Sequence, residues 1–154
     1  ANIQQSMRVA VADGARIIAT SEGRQSGAAD GHFVAPTVLE ASSREATLWS
    51  EELFGPVLAV RRASGVEEAF ALANAGEYGL SAAVFTRDLT RALRAIDVLD
   101  VGVLHVNSES AGADPHVPFG GAKRSGYGPK EQGTAAREFF THTTSVYLQG
   151  GQSS

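Results

Sequence analysis

The chain has 154 residues, enough for one domain with a real core, and its 43% hydrophobic and 19% charged content is that of a globular protein rather than a disordered one. A net charge of −4 gives no electrostatic case for nucleic acid or an anionic membrane as partner, and no apolar run is long enough to span a bilayer. The absence of cysteine excludes disulfides, thiolate metal sites and a cysteine nucleophile within these residues.

The first residues, Ala1-Asn2-Ile3-Gln4-Gln5, lack the basic start and apolar middle of a signal peptide, so a soluble, cytoplasmic protein is expected. Ile3, Met7, Ala10 and Val11 recur at helical spacing, with Gly14 as the C-terminal cap. Ile17-Ile18-Ala19 reads as a short strand, and Ser21 to Gly31, rich in Gly, Ser and Ala, as an exposed loop. Phe33 to Leu39 is a strand whose Pro36 calls for an edge position or a bulge. Ser42 and Glu45 have capping-box spacing, which predicts a helical turn before Glu51.

From Val57 the pattern alternates strand and helix. Val57 to Val60 is a strand. Ser64-Gly65-Val66-Glu67 is a capping box that opens a helix with Val66, Phe70 and Ala73 inward and Gly76 near its end. Ser81 to Thr86 is the next strand, and Asp88 caps a helix with Leu89, Leu93, Ile96 and Leu99 on one stripe. Val101 to Asn107 is a near-continuous apolar strand, as expected where helices cover both faces of a sheet. A final helix over about 131–140 and a terminal strand, Ser145-Val146-Tyr147-Leu148, complete the pattern. Such alternation predicts one α/β domain over 1–149 with a largely parallel sheet flanked by helices, followed by a tail at 150–154.

Two stretches carry chemistry. In Glu51-Glu52-Leu53-Phe54-Gly55-Pro56-Val57 a Gly-Pro break holds a carboxylate and an aromatic ring at a loop–strand junction. From spacing alone, Glu52 reads as a solvated loop acid and Phe54 as a core residue. Pro118-Phe119-Gly120-Gly121-Ala122-Lys123-Arg124-Ser125-Gly126 reads as a packed Phe followed by a glycine turn. Asn107 ends a strand, where it either faces ligand or caps the following turn. His32, His105, His116 and His142 show no metal-ligand spacing, and only His116 lies beside the second stretch.

These stretches resemble the EE-I/L-FGPV and PFGG-x-K-x-SG motifs of the aldehyde dehydrogenase superfamily, and Glu77-Tyr78-Gly79-Leu80-Ser81-Ala82 resembles its YGL turn. The resemblance implies that Glu52 binds the nicotinamide ribose of NAD or NADP, that Phe54 packs beside the nicotinamide, and that Phe119 lines the aldehyde pocket. It also implies that Asn107 precedes the substrate loop, Ser108 to His116; His116, by its place beside the second stretch, is a candidate contact to the small-molecule aldehyde. Ser125 to Gly133, with the Ala111-Gly112 loop and His116, is similar to the α-ketoglutaric semialdehyde dehydrogenase branch. Lys130 stands where many relatives carry a relay glutamate, so no relay role passes to this chain.

The family attacks its aldehyde with a cysteine thiolate and uses a carboxylate to activate water, ordinary covalent catalysis. Both groups, and the dinucleotide-binding domain, lie upstream in the family, and no G-x-G-x-x-G occurs here. The expectation is therefore a C-terminal segment of an NAD(P)-dependent aldehyde dehydrogenase, inactive alone, with a terminal oligomerisation strand at about 144–149 that makes it a homo-oligomer. The alternative is a non-catalytic interaction or assembly module of the same fold. A serine hydrolase is a distant third, since neither Ser108 nor Ser125 lies in G-x-S-x-G.

Overall fold

The computed structural model describes residues 3–21, 33–41, 43, 47–112 and 114–151. They fall in two compact units, the first running to Glu77 and the second starting at Tyr78. The predicted capping box at Ser42 and Glu45, His32, and most of the loop after Ser21 lie outside the described residues.

In the first unit, helix α1 (Ile3–Ala12) ends as its sequence dictates. Gly14 adopts φ 94°, its N–H donates to the Val11 carbonyl at 3.0 Å, and the Ala15 N–H donates to the Ala10 carbonyl at 2.8 Å. These are the two bonds of a Schellman cap, and the buried Ala10 and Ala15 meet beneath it. Strands β1 (Arg16–Thr20), β2 (Thr37–Glu40) and β3 (Val57–Val60) form one sheet, with helix α2 (Thr47–Ser50) between the last two in sequence. β2 runs antiparallel to β1 and parallel to β3, with Thr37 opposite Val57 and Glu40 opposite Val60. Leu39, fully buried, and Leu48 join the two alanines in a core against which Met7, Leu53, Val57 and Ala59 pack.

Pro36 corrects the expectation of an edge or bulged strand. β2 is the central strand, and it begins one residue after the proline because Pro36 has no N–H for a ladder. The register irregularity falls instead in β1, between Ile17 and Ala19. Helix α3 (Val66–Asn74) shifts the predicted cap by one residue: Gly65 is the N-cap, and Glu68 rather than Glu67 reaches back to the Ser64 N–H at 2.6 Å and to its hydroxyl. Those bonds, hydroxyl first, lower the Glu68 pKa. Phe70 is buried as predicted, whereas Ala73 is exposed because the inward face runs through Val66, Phe70 and Asn74, at i, i+4 and i+8.

In the second unit, β4 (Tyr78–Gly79) pairs antiparallel with β7 (Ala122–Lys123), and β5 (Ser81–Val84) pairs parallel with β6 (Val103–Val106). Among the described residues the strands thus lie in three small sheets, one mixed, one antiparallel and one parallel, rather than one, with helices between them in sequence, an α/β arrangement. Asp88 caps helix α4 (Leu89–Val98) by accepting from the Arg91 N–H. α4 turns its small residues inward: Ala92 and Ala95 are buried, while Leu89, Leu93 and Ile96 are 72%, 53% and 59% exposed. The last predicted helix divides into a 3-10 turn at Gly133–Ala135 and α5 (Ala136–Phe140). The terminal strand does not form in the single chain: residues 141–150 have no ladder partner, and Val146, Tyr147 and Leu148 are exposed.

Candidate functional site

The Glu51–Val57 stretch leaves α2 and enters β3 around a fixed bend. Phe54 takes φ 50°, a left-handed conformation uncommon for an aromatic residue. Gly55 follows because Ile3 of α1 occupies the space a Cβ would need. The Val57 N–H donates across Pro56 to the Gly55 carbonyl at 2.7 Å, and the Pro56 carbonyl accepts from Thr37 at 3.0 Å, which ties the bend to the central strand. The bend stands over a cavity of about 560 Å³ lined by Leu48, Glu51, Glu52, Phe54, Gly55 and Ala59, among others. Phe54 is 89% exposed, so it is not the core residue that spacing alone implied. Glu52 is exposed, and its carboxylate accepts no hydrogen bond from the described residues. An unpartnered double acceptor beside an uncovered ring fits the hydroxyls of a ribose and the face of an aromatic heterocycle.

The other candidates lie in the second unit. Asn107 takes φ 57° at the end of β6; its N–H donates to the Val84 carbonyl at 2.9 Å, and its Oδ1 accepts from the Thr86 N–H at 2.8 Å. Thr86 Oγ1 in turn accepts from the Asp88 N–H at 3.1 Å, so Asn107 locks the end of β5 to the cap of α4. His116 is exposed and bound to Asp114: its N–H donates to Oδ1 at 2.9 Å and its Nδ1 lies 3.0 Å from the same oxygen. The backbone bond, then the ring contact, holds the Asp114 carboxyl below the usual carboxylate range.

Phe119 is half-buried and paired with Glu131 through two backbone bonds, Phe119 N–H to Glu131 carbonyl at 2.7 Å and the reverse at 2.9 Å. Its ring helps to line a smaller hollow of about 230 Å³ with Leu80, Ser125, Tyr127 and Phe139. Asn107 and His116 are not among the residues that line it. Within the first unit Glu52 and Phe54 line the same cavity, and within the second Phe119 lines a hollow that neither His116 nor Asn107 reaches. Among the described residues no group of His, Asp and Glu could hold a metal ion.

The glycine turn is explained by close backbone approach. A Cβ on Gly102 would strike the Gly120 carbonyl, one on Gly121 the Ser125 carbonyl, and one on Gly126 the Gly121 carbonyl. The YGL turn and the second motif prove to be partners, with Tyr78 opposite Lys123 and Gly79 opposite Ala122. Sequence reasoning missed Gln132, which takes φ 66° and ψ 167°, a region that is essentially glycine-only and costs on the order of 1–3 kcal/mol. Nothing in its residue type signals this. The glycine after it was the one available hint.

The chain belongs to the aldehyde dehydrogenase family, whose model matches residues 1–146. It is 38% identical over 138 residues to an alpha-ketoglutaric semialdehyde dehydrogenase of Bacillus subtilis, covering 89% of this chain and 28% of that protein. It is 42% identical over 141 residues to an alpha-ketoglutarate semialdehyde dehydrogenase of Haloferax volcanii, covering 90% of this chain and 29% of that one. Its fold matches the crystal structure of betaine aldehyde dehydrogenase from Staphylococcus aureus in complex with NAD+, with a TM-score of 0.82 and 34% identity over 90% of this chain and 27% of the other. The chain thus spans less than a third of the length of these relatives.

Proposed function

We propose that this chain is the C-terminal catalytic-domain segment of an NAD(P)-dependent aldehyde dehydrogenase that oxidises a semialdehyde to its carboxylate, inactive until the rest of the catalytic domain is present. The observation that carries this reading is the Glu51–Val57 bend: a carboxylate with no partner among the described residues and an 89% exposed ring, held over a 560 Å³ cavity by a left-handed residue and a Gly-Pro pair. A bend built at that conformational cost for a merely solvated loop would have no return.

On this reading Glu52 accepts hydrogen bonds from ribose hydroxyls, and Phe54 covers one face of the nicotinamide. NAD or NADP, when bound, supplies the acceptor for the hydride that leaves the aldehyde carbon. Phe119 and His116 contact the aldehyde, and Asn107 fixes the start of the loop between them. On the same reading the nucleophilic cysteine, a residue type this sequence lacks, and the water-activating carboxylate come from the upstream segment. The same reading makes residues 144–149 the oligomerisation strand of a homo-oligomer, residues 150–154 a tail, and the complete enzyme cytoplasmic. Support for the strand is the exposed Val146-Tyr147-Leu148, which has no ladder partner in one chain.

The test is NAD(P)H production from α-ketoglutaric semialdehyde by the chain alone and with the upstream segment added. No turnover alone and turnover with the added segment is expected. Turnover by the chain alone would refute a mechanism that needs the upstream cysteine. Failure of both favours the non-catalytic assembly module, for which the exposed Leu89, Leu93 and Ile96 face of α4 would be the contact surface.

A further inference from the structure

We infer that the Glu131–Gly133 turn is a positioning device that fixes the 115–119 segment and thereby sets the aldehyde affinity of the complete enzyme; this rests on the reading of His116 and Phe119 given above. Three backbone bonds join the two segments: the reciprocal pair between Phe119 and Glu131 at 2.7 and 2.9 Å, and the Gly133 N–H donating to the Pro115 carbonyl at 3.0 Å. Both residues that follow Glu131 have positive φ, Gln132 at 66° and Gly133 at 51°. That pair of angles lets the Glu131 and Gly133 N–H groups both meet the 115–119 segment.

The fit leaves no slack. A Cβ on Gly133 would lie 2.5 Å from the His116 carbonyl oxygen, a backbone atom that cannot swing away. Gln132 holds a conformation open almost solely to glycine, and its buried Oε1 has no hydrogen-bond partner. Its side chain therefore neither caps the turn nor rewards the strain, and the bonds to 115–119 are what hold it there. A strained turn bonded to a segment that carries two candidate substrate residues is a clamp on that segment.

Amide hydrogen exchange on the wild-type chain comes first. The N–H groups of Phe119, Glu131 and Gly133 should exchange at least about tenfold more slowly than those of the exposed loop at 108–112. Exchange at the loop rate would overturn the clamp. Gly133→Ala should abolish that protection and, in the enzyme reconstituted with the upstream segment, raise the aldehyde KM about tenfold while kcat and the cofactor KM change little. Lost protection with an unchanged aldehyde KM would overturn the positioning role while leaving the enzyme reading intact. A wild-type mixture without activity would refute the enzyme reading and this inference with it. Gln132→Gly, which relieves the strain, should raise the thermal midpoint of the chain and keep the amide protection; a lowered midpoint would overturn the account of the turn.

Discussion

The Ser125 hydroxyl accepts the Gly79 N–H at 3.1 Å, joining two glycine-containing motifs that lie 46 positions apart. Beside it, β4 and β7 form a ladder of only two residue pairs. Ser125→Ala should leave the partly buried Gly79 N–H unsatisfied and cost about 1–3 kcal/mol, read from urea unfolding. Gly79→Ala should cost more, because a Cβ there would stand 2.5 Å from the Asp100 carbonyl. If Gly79→Ala proved the milder change, the close-approach account of this turn would be wrong.

Asn107 combines a left-handed backbone with an acceptor for the Thr86 N–H. Asn107→Ala should lose both and destabilise the chain by about 1–3 kcal/mol, whereas Asn107→Asp keeps the acceptor and tolerates the same angles. Aspartate should therefore stay within about 0.5 kcal/mol of the wild type. Chemical denaturation of the three proteins gives the ranking directly.

Glu40 is paired with Arg16 and Arg62. Hydrogen bonding to Arg16, more than its charge or Arg62, holds the Glu40 carboxyl below its ordinary value of 4.5. A carboxylate whose folded value is depressed adds stability above the unfolded value and loses it as pH falls through the folded one. The unfolding midpoint of the wild type should thus exceed that of Glu40→Gln at neutral pH, and the gap should close as pH drops below 4.5. The gap should be small, since all three groups meet water. A gap unchanged down to about pH 3 would exclude Glu40 as its source.

In the enzyme reconstituted with the upstream segment, Glu52→Gln should raise the cofactor KM about tenfold and leave the aldehyde KM nearly unchanged, since an amide offers one acceptor oxygen where the carboxylate offers two. Steady-state kinetics with each substrate varied in turn separates the two constants. A rise confined to the aldehyde KM would move Glu52 out of the cofactor site.

Much of this fold was legible because its signals are local. Gly14 and the apolar spacing of α1 set a complete helix with its cap, and Asp88 set the start of α4. What spacing could not resolve is which side of an apolar element meets the interior. The stripe of Leu89, Leu93 and Ile96 is as regular as any core face, yet the buried positions of α4 are Ala92 and Ala95, because small residues admit close approach. The site shows the same division. Glu52, Phe54 and Phe119 were singled out as candidates by motif resemblance, whereas the left-handed backbone of Gln132 is not announced by its residue type. The terminal segment reads as a strand in the sequence, yet residues 141–150 enter no ladder in one chain.

Association through that segment has a direct check. A chain ending at residue 143 should sediment as a smaller species than the full chain at the same concentration, if Val146-Tyr147-Leu148 supplies the contact. Equal sedimentation of both chains would assign the contact elsewhere.

The irregular register between Ile17 and Ala19 bears on how this sheet behaves in a crowded solution. β1 is an edge strand, exposed along all five residues, and Ile17 and Ile18 make it apolar as well. A straight strand of that kind would be a ready template for fibril growth, since incoming chains could add in register one after another. The shift breaks the repeat of donors and acceptors after two residue pairs, Arg16 with Glu40 and Ile17 with Leu39. Straightening it, for example by deleting Ile18, should turn a protective irregularity into a nucleation site, visible as faster thioflavin-positive aggregation.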